Sequence, residues 1–241
     1  MNSYRQKLPK ISIIIPVYNE QDNVPVLLNY LTDKTSGTNS EIIVVDGNSS
    51  DNTVERVQAL KIRCLISKKK GRAAQMNYGA ENSNGEILYF VHADSIPPES
   101  FITDIYQSLD MGFDAGCYRF QFNSDRPLLK INSYFTRFDR LMCRGGDQTL
   151  FVKRDLFEKL GGYKEHFVIM EDFDLIQQLR KSYSFRIMPK NVLVSARKYE
   201  NNHYLKVNFV NFVIFMMYFF GASQDTMVHA YKQLIQKTRF G

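Results

Sequence analysis

Four short apolar runs, Ile11–Ile15, Glu41–Val45, Ile62–Ile66 and Ile87–Val91, constrain this chain more than any other feature. Each is rich in β-branched or aromatic side chains and lacks polar-apolar alternation, the mark of a strand covered on both faces. Between them, apolar residues recur at helical spacing: Val26, Leu27, Tyr30 and Leu31, then Val54, Val57 and Leu60, then a segment from Ala73 to Asn82. Strands of this length separated by crossover helices predict a mostly parallel sheet with helices on both faces.

The ends of these runs carry the chemistry. The first stops at Pro16 and continues into Tyr18-Asn19-Glu20; the second ends on Asp46 and the turn Gly47-Asn48-Ser49-Ser50; the fourth ends on His92-Ala93-Asp94 before Pro97-Pro98. In open α/β sheets the carboxyl edge of the strands is where ligands bind. No glycine-rich GxGxxG follows the first strand, so the dinucleotide fingerprint is absent. Pro25 suits the first turn of a helix capped by Asp22 or Asn23. Each polar residue also has a plain structural reading. Asp94 can cap the helix near Pro98, Asp46 can stabilise its turn, Arg72 can be a solvated charge, and Glu171-Asp172 can be a helix N-terminal pair favoured by the dipole.

The second half is less regular. Phe101–Leu109 reads as a helix, Ala115–Phe122 as a strand, Leu128–Met142 as one helix, and Gly145-Gly146-Asp147-Gln148 as a loop. A short strand over Thr149–Val152 precedes a helix over Arg154–Leu160 closed by Gly161-Gly162. A further helix opens at Met170-Glu171-Asp172, and Phe185–Met188 and Val192–Ser195 read as edge strands. Val207–Phe220 is apolar apart from Asn208 and Asn211. It falls short of the roughly 20 residues a membrane span needs. It therefore reads as an interfacial helix, a core or dimer helix, or, least fittingly, a span. An amphipathic helix over Asp225–Lys237 ends the chain. The predicted organisation is a domain over 1–200 and a helical appendage over 201–241.

The 241 residues carry a net charge of +6, unevenly placed. From Arg180 onward ten Lys and Arg face only Glu200 and Asp225, so that segment is +8 and residues 1–179 are −2. A basic tail beside an apolar helix asks for an anionic partner such as a membrane surface or a phosphate. Cys64, Cys117 and Cys143 form no CxxC pair and read as reduced thiols. The sequence MNSYRQKLPK has no apolar signal segment, so the expected location is cytoplasmic, peripheral on the inner face of the membrane.

Asp46, Asp94, Glu171 and Asp172, gathered at one sheet edge, would repel one another unless a cation or a shifted pKa compensates. A hard divalent ion held by one or two carboxylates and phosphate oxygens suits such a set, as does the planar fork of Arg72. The segments IIPVYNE (14–20), VVDGNSSDNT (44–53), GRAAQMNYGA (71–80), FVHADS (90–95), GGDQ (145–148), MED (170–172) and the Ser195–Glu200 stretch resemble, in that order, the family 2 glycosyltransferases. The match is closest to a small bacterial subgroup with HAD and GDQ motifs. The resemblance implies a GT-A fold, a Rossmann-like α/β sheet covered by helices, and inverting transfer from a nucleotide sugar, usually of uridine. Pro16, Tyr18 and Glu20 would then line the base site, Asp46 would bond the base, and Arg72 would face base or diphosphate. Asp94 would hold Mg²⁺ or Mn²⁺, Asp172 would be the general base with Glu171 beside it, and Gly146, Asp147 and Gln148 would line the acceptor side.

Two departures stand out. His92 replaces the first aspartate of the family's DxD and, preferring softer metals, is expected to contact a ribose or sugar hydroxyl. Gly47 stands where many relatives have a second aspartate. The expected partners are a nucleotide-sugar donor, a lipid or glycan acceptor, a membrane surface and a second copy of the chain, with no nucleic acid. The alternatives are a catalytically silent domain that binds nucleotide sugar and a nucleotidyltransferase. The latter would normally carry a basic glycine-rich loop where Pro16–Asn19 stand.

Overall fold

The computed structural model describes residues 8–200 and 202–235. The chain alternates as expected through its first part: β1 (Ile11–Val17), α1 (Val24–Thr35), β2 (Ser40–Asp46), α2 (Thr53–Ala59), β3 (Arg63–Ile66), α3 (Arg72–Glu81) and β4 (Ile87–Phe90). It continues with β5 (Ser95–Ile96), α4 (Phe101–Asp110), β6 (Ala115–Phe122), α5 (Pro127–Phe135), β7 (Leu150–Lys153), α6 (Arg154–Lys159) and α7 (Glu171–Ser182). It closes with β8 (Phe185–Val194), α8 (Arg197–Glu200), α9 (Tyr204–Phe219) and α10 (Gln224–Leu234). One eight-stranded sheet runs in the order β3-β2-β1-β4-β7-β6-β8-β5. The pairs β3-β2, β2-β1, β1-β4 and β6-β8 are parallel, and β7 runs against both its neighbours.

Strand alternation explains the unbroken apolar runs. In β1, Ile11, Ile13, Ile15 and Val17 face a core shared with α1, α4, α9 and α10, while Ile14 faces a second core built with α3, α6 and α7. Tyr89 and Val91 likewise point to the first core, and Leu88 and Phe90 to the second. Gly79 lets α3 sit on the sheet. A methyl there would stand 2.5 Å from Ile14 Cγ2 and 3.0 Å from Val45 Cγ2. Alanine would gain about 1 kcal/mol of helix propensity, but overpacking a closed core costs about 1–3 kcal/mol. Gly79→Ala is therefore expected to lower the melting temperature in a thermal scan, and an unchanged or raised value would show that the sheet yields.

Four local expectations are corrected. β1 does not stop at Pro16 but runs to Val17. The backbone groups of Ile14 face β4, where Ile14 O accepts from Val91 N, so the Pro16 nitrogen faces the same side beyond Phe90, where that ladder has ended. The helix expected over 128–142 ends at Phe135. The Arg144 guanidinium takes the carbonyls of Thr136 and Phe138 (2.8 Å for Phe138), and that capture ends the helix. The two edge strands expected near 185–195 are one internal strand, β8, between β6 and β5. It passes Pro189 because the pairing jumps from Tyr118–Met188 to Arg119–Asn191, leaving Pro189 and Lys190 in a bulge. Last, Ser95–Ile96 was not expected as a strand; it pairs with Val194 and Leu193 just before the prolines.

The apolar α9 is neither covered all round nor free. Val207, Val210 and Ile214 enter the first core with Met227 of α10, whereas Leu205, Phe209, Phe212 and Phe219 are exposed. No helix among the described residues is long and apolar enough to cross a membrane. The last residues of the expected terminal helix, 236 and 237, lie outside the described residues.

Candidate active site

The loops that follow β1 and β2 are bound to each other. Asn19 N donates to Ser49 Oγ (2.9 Å), Ser50 N to Asn19 Oδ1 (2.8 Å) and Glu20 N to Thr53 Oγ1 (2.8 Å). Asn19 and Asn48 turn these loops through positive φ, a conformation asparagine tolerates. Beneath them the buried Gln75 amide donates to the carbonyls of Val17 and Val45, both at 2.8 Å, so the two strand ends are held at fixed separation. Asp46 is 1% exposed, and its carboxylate accepts from Ser49 N (2.9 Å) and Ser49 Oγ (2.5 Å). It is thus already engaged by its own turn. Glu20 binds Asn23 and forms an ion pair with Arg197 at 3.1 Å, tying the β1 loop to the segment after β8. Pro16 is buried and Tyr18 partly exposed at the same edge.

A second group converges from four places: Arg72 at the start of α3, His92 and Asp94 after β4, Asp147 in the 3₁₀ turn Gly146–Gln148, and Glu171 and Asp172 in the first turn of α7. Arg72 Nε lies 3.0 Å from Glu171 Oε1, with Glu171 buried and the arginine side chain nearly half exposed. Glu171 is therefore committed to holding Arg72. His92 Nε2 stands 3.6 Å from Asp172 Oδ2. Burial and the nearby Arg72 push the His92 pKa below its ordinary value, so the ring is neutral at pH 7. The backbone of Gly146 is pressed onto both groups. A methyl there would lie inside contact distance of the Asp172 carboxylate and the His92 ring.

Burial raises the Asp172 pKa to about 6, against the opposing pull of Arg72 and with a further push from Asp147. Asp94 is raised in the same direction by burial and by Asp147. No hydrogen bond or ion pair engages the Asp94 carboxylate among the described residues. A carboxylate that is partly buried, unpartnered and repelled by a neighbour is suited to a divalent cation. Among the described residues no three His, Cys, Asp or Glu side chains converge to hold an ion unaided. An ion held by Asp94 would need its remaining ligands from outside these side chains.

The structure thus brings together Arg72, His92, Asp94, Asp147, Glu171 and Asp172 from the residues singled out in the sequence. It does not bring Gln148 into this group: Gln148 is 1% exposed, with Oε1 turned to Cys117 Sγ at 3.8 Å. Tyr163 was not foreseen. It is buried, and its hydroxyl faces Asp172. Asn77 holds it, with Nδ2 donating to Tyr163 O (2.8 Å) and Oδ1 accepting from Tyr163 N (2.9 Å). Arg197 was quoted only within a motif, and its pairing with Glu20 spans 177 positions. Thr149 and Met170 adopt positive φ directly beside the loop and the helix that carry Asp147 and Asp172. Strain of that kind concentrates at functional sites.

The Glycosyl transferase family 2 model matches residues 12–167. The chain belongs to glycosyltransferase family 2. Among curated relatives, this glycosyltransferase is 30% identical to Glycosyltransferase AglE of Haloferax volcanii over 176 residues, 67% of this chain and 58% of that one. It is 31% identical over 110 residues to a dolichol-phosphate mannosyltransferase of Pyrococcus furiosus, covering 44% of this chain and 31% of the relative. The matched stretch is thus under two thirds of those relatives' own length. Among solved structures, the mannosyltransferase PcManGT of Pyrobaculum calidifontis in complex with GDP-Man and Mn²⁺ superposes with a TM-score of 0.65 at 17% identity. That superposition covers 94% of this chain and 70% of the other. The fold is that of the GT-A glycosyltransferases, as the sequence predicted, and the enzyme class is a glycosyltransferase. The family match ends five positions before Asp172, so the role of that residue rests on its geometry and on the sequence motif.

A carboxylate with a pKa of about 6 predicts a defined pH response if Asp172 serves as the base. The kcat/KM is expected to climb about tenfold per unit as pH rises toward 6 and to level off above about 7. A flat profile across that window, in buffers that leave the fold intact, would remove Asp172 from the role of base.

Proposed function

We propose that the protein transfers a sugar, with inversion, from a nucleoside diphosphate donor of the uridine type to a hydroxyl of a lipid-linked or cell-envelope acceptor. The observation that carries this reading is Asp172. A buried carboxylate with its pKa near 6, held between His92, Gly146 and Tyr163, is a base poised for neutral pH. The tied loops after β1 and β2 form the wall for the nucleoside, with Pro16, Tyr18 and Glu20 on one side. Asp46, already bonded to Ser49, orders the turn that faces the base.

Asp172 accepts the proton of the acceptor oxygen. That oxygen attacks the anomeric carbon from the face opposite the nucleotide, and the bond from that carbon to the diphosphate breaks. Arg72, held by Glu171, stands where negative charge grows on the leaving diphosphate. A Mg²⁺ or Mn²⁺ ion, when bound by Asp94 and the diphosphate, supplies further neutralisation of that charge. Asp147, exposed beside Asp172, is placed for contact with the acceptor or the sugar. The configuration inverts because no covalent enzyme intermediate forms.

Two features support a membrane-bound acceptor and peripheral docking: the exposed aromatic face of α9 and the +8 charge from Arg180 onward. The acceptor of one relative, dolichol phosphate by its name, agrees with this. The three cysteines are free thiols, in keeping with a reducing compartment.

The test is a thermal-shift screen of UDP, GDP, dTDP and CDP sugars with Mn²⁺ and with EDTA. A UDP-sugar is expected to raise the melting temperature with the metal and to lose most of that gain with EDTA, because a ligand bound only by the native state stabilises it by mass action. No shift with any nucleotide sugar would count against a donor site.

A further inference from the structure

A cavity of about 260 Å³ lies away from the carboxylate cluster, between α5 and the C-terminal half of β6. Arg119, Lys130, Ser133, Tyr134, Arg137 and Asn191 line its polar side, and no carboxylate lines it. Arg119 Nε is buried and has no hydrogen-bond partner, and no ion pair engages that guanidinium among the described residues. Arg137 donates from Nε to Tyr134 O at 3.0 Å and lies 3.7 Å over the Tyr134 ring, with no acidic partner. Lys130 reaches only the fully exposed Asp125, at 3.4 Å. Two guanidinium forks and an ammonium around a space without a counter-charge match a phosphate group, which guanidinium binds in bidentate fashion.

The surroundings select the kind of phosphate. Asn132 on α5 is bonded to α9 through Asn208 Oδ1 (2.9 Å) and the Tyr204 hydroxyl (2.7 Å). Within one turn of that seam lie Leu128, Ile131 and Phe135 on α5 and Leu205, Phe209 and Phe212 on α9, each between 46% and 63% exposed. Tyr134, which lines the cavity, and Phe138 extend the same apolar surface. Aromatic side chains rimmed by lysine and arginine on two neighbouring helices are the composition of a surface that lies in a membrane interface. We propose that the cavity between α5 and β6 is a phosphate site that takes the headgroup of an anionic lipid, while the exposed residues of α5 and α9 enter the acyl boundary. The site shares no residue with the donor cleft, and the proposal rests on the membrane-docking reading of α9. The Arg144 side chain, bonded to the carbonyls after α5 and to Cys117 Sγ at 3.5 Å, connects this surface to the loop bearing Asp147.

The experiment is vesicle flotation of the full chain with phosphatidylcholine alone and with an equal mixture of phosphatidylcholine and phosphatidylglycerol. The wild type is expected to float with the anionic vesicles and to bind neutral ones more weakly. Interfacial cations contribute about fivefold each to partitioning, so Arg119→Gln/Arg137→Gln is expected to weaken anionic-vesicle binding by about tenfold or more. Lys61→Gln/Lys68→Gln, which removes the same charge from exposed positions at the β3 edge, is expected to have a smaller effect. Melting temperatures and donor-induced shifts of both variants should match the wild type. Equal loss in both double variants would reduce the effect to bulk charge and overturn the site, as would wild-type binding by Arg119→Gln/Arg137→Gln. Phe209→Ser/Phe212→Ser separates the two readings: unchanged flotation there removes the membrane docking of α9, whereas unchanged flotation in the arginine variant removes only the cavity. If no vesicle binds but glycerol 1-phosphate stabilises the wild type and not the arginine variant, the phosphate is soluble and the lipid assignment fails.

Discussion

Asp172→Asn is expected to lower kcat by about 10²–10⁴, the range a positioned general base supplies. Donor binding should survive, because the amide keeps the shape of the carboxylate and Arg72 keeps Glu171. The same substitution is expected to stabilise the fold. Burial raises the Asp172 pKa from 3.8 to about 6. Between about pH 4 and 6 the unfolded chain has therefore released a proton that the folded chain still holds, and stability falls as pH rises through that window. Above about pH 6 the penalty is complete, on the order of 3 kcal/mol at 1.36 kcal/mol per pKa unit. An asparagine carries no such penalty. Turnover and thermal melting at pH 7.5 should move in opposite directions, activity down and melting temperature up. Wild-type turnover in the variant would end the assignment of Asp172 as base. A lower melting temperature would mean that the carboxylate stabilises the fold.

Gly146→Ala is the second large effect. The new methyl would overlap both the Asp172 carboxylate and the His92 ring. Asp172 sits in the first turn of α7, and His92 follows a central strand, so neither yields without moving its reactive atoms. Displacing a catalytic group by about 1 Å costs on the order of 10²-fold in rate, and that is the fall in kcat expected here. The loop is at the surface, so circular dichroism should report a normal fold and the donor-induced thermal shift should persist. A variant with wild-type kcat would show that the loop swings away in the working enzyme.

What could be read in the sequence, and what could not, follows from the range of the interactions. β1, β2 and β4 were legible because strands covered on both faces write their burial into consecutive residues. β8 was misread because Pro189 breaks the run, and the bulge that accommodates it depends on the register with β6. The end of α5 was set by a guanidinium eight positions on, a reach that helical periodicity does not encode. In the site, residue type and order pointed to Asp94 and Asp172, since carboxylates at strand ends and helix starts share one sheet edge. Their division of labour was not legible. Glu171 belongs to Arg72, 99 positions earlier, and Tyr163 reaches Asp172 through a turn held by Asn77. Gly146 read as a loop residue on the acceptor side, whereas in the structure the absence of a side chain there makes room for the Asp172 carboxylate and the His92 ring. Neither the fold of α9 on the core nor the open face it leaves could be separated by composition, because both faces are apolar.

The central claim is inversion at the anomeric carbon driven by Asp172. It is tested most directly by proton NMR of the sugar released from the α-linked donor that the thermal-shift screen selects, with water as acceptor. The β-anomer should appear first and equilibrate later, and Asp172→Asn should release almost none. The α-anomer appearing first, or equal release by the variant, would contradict the mechanism.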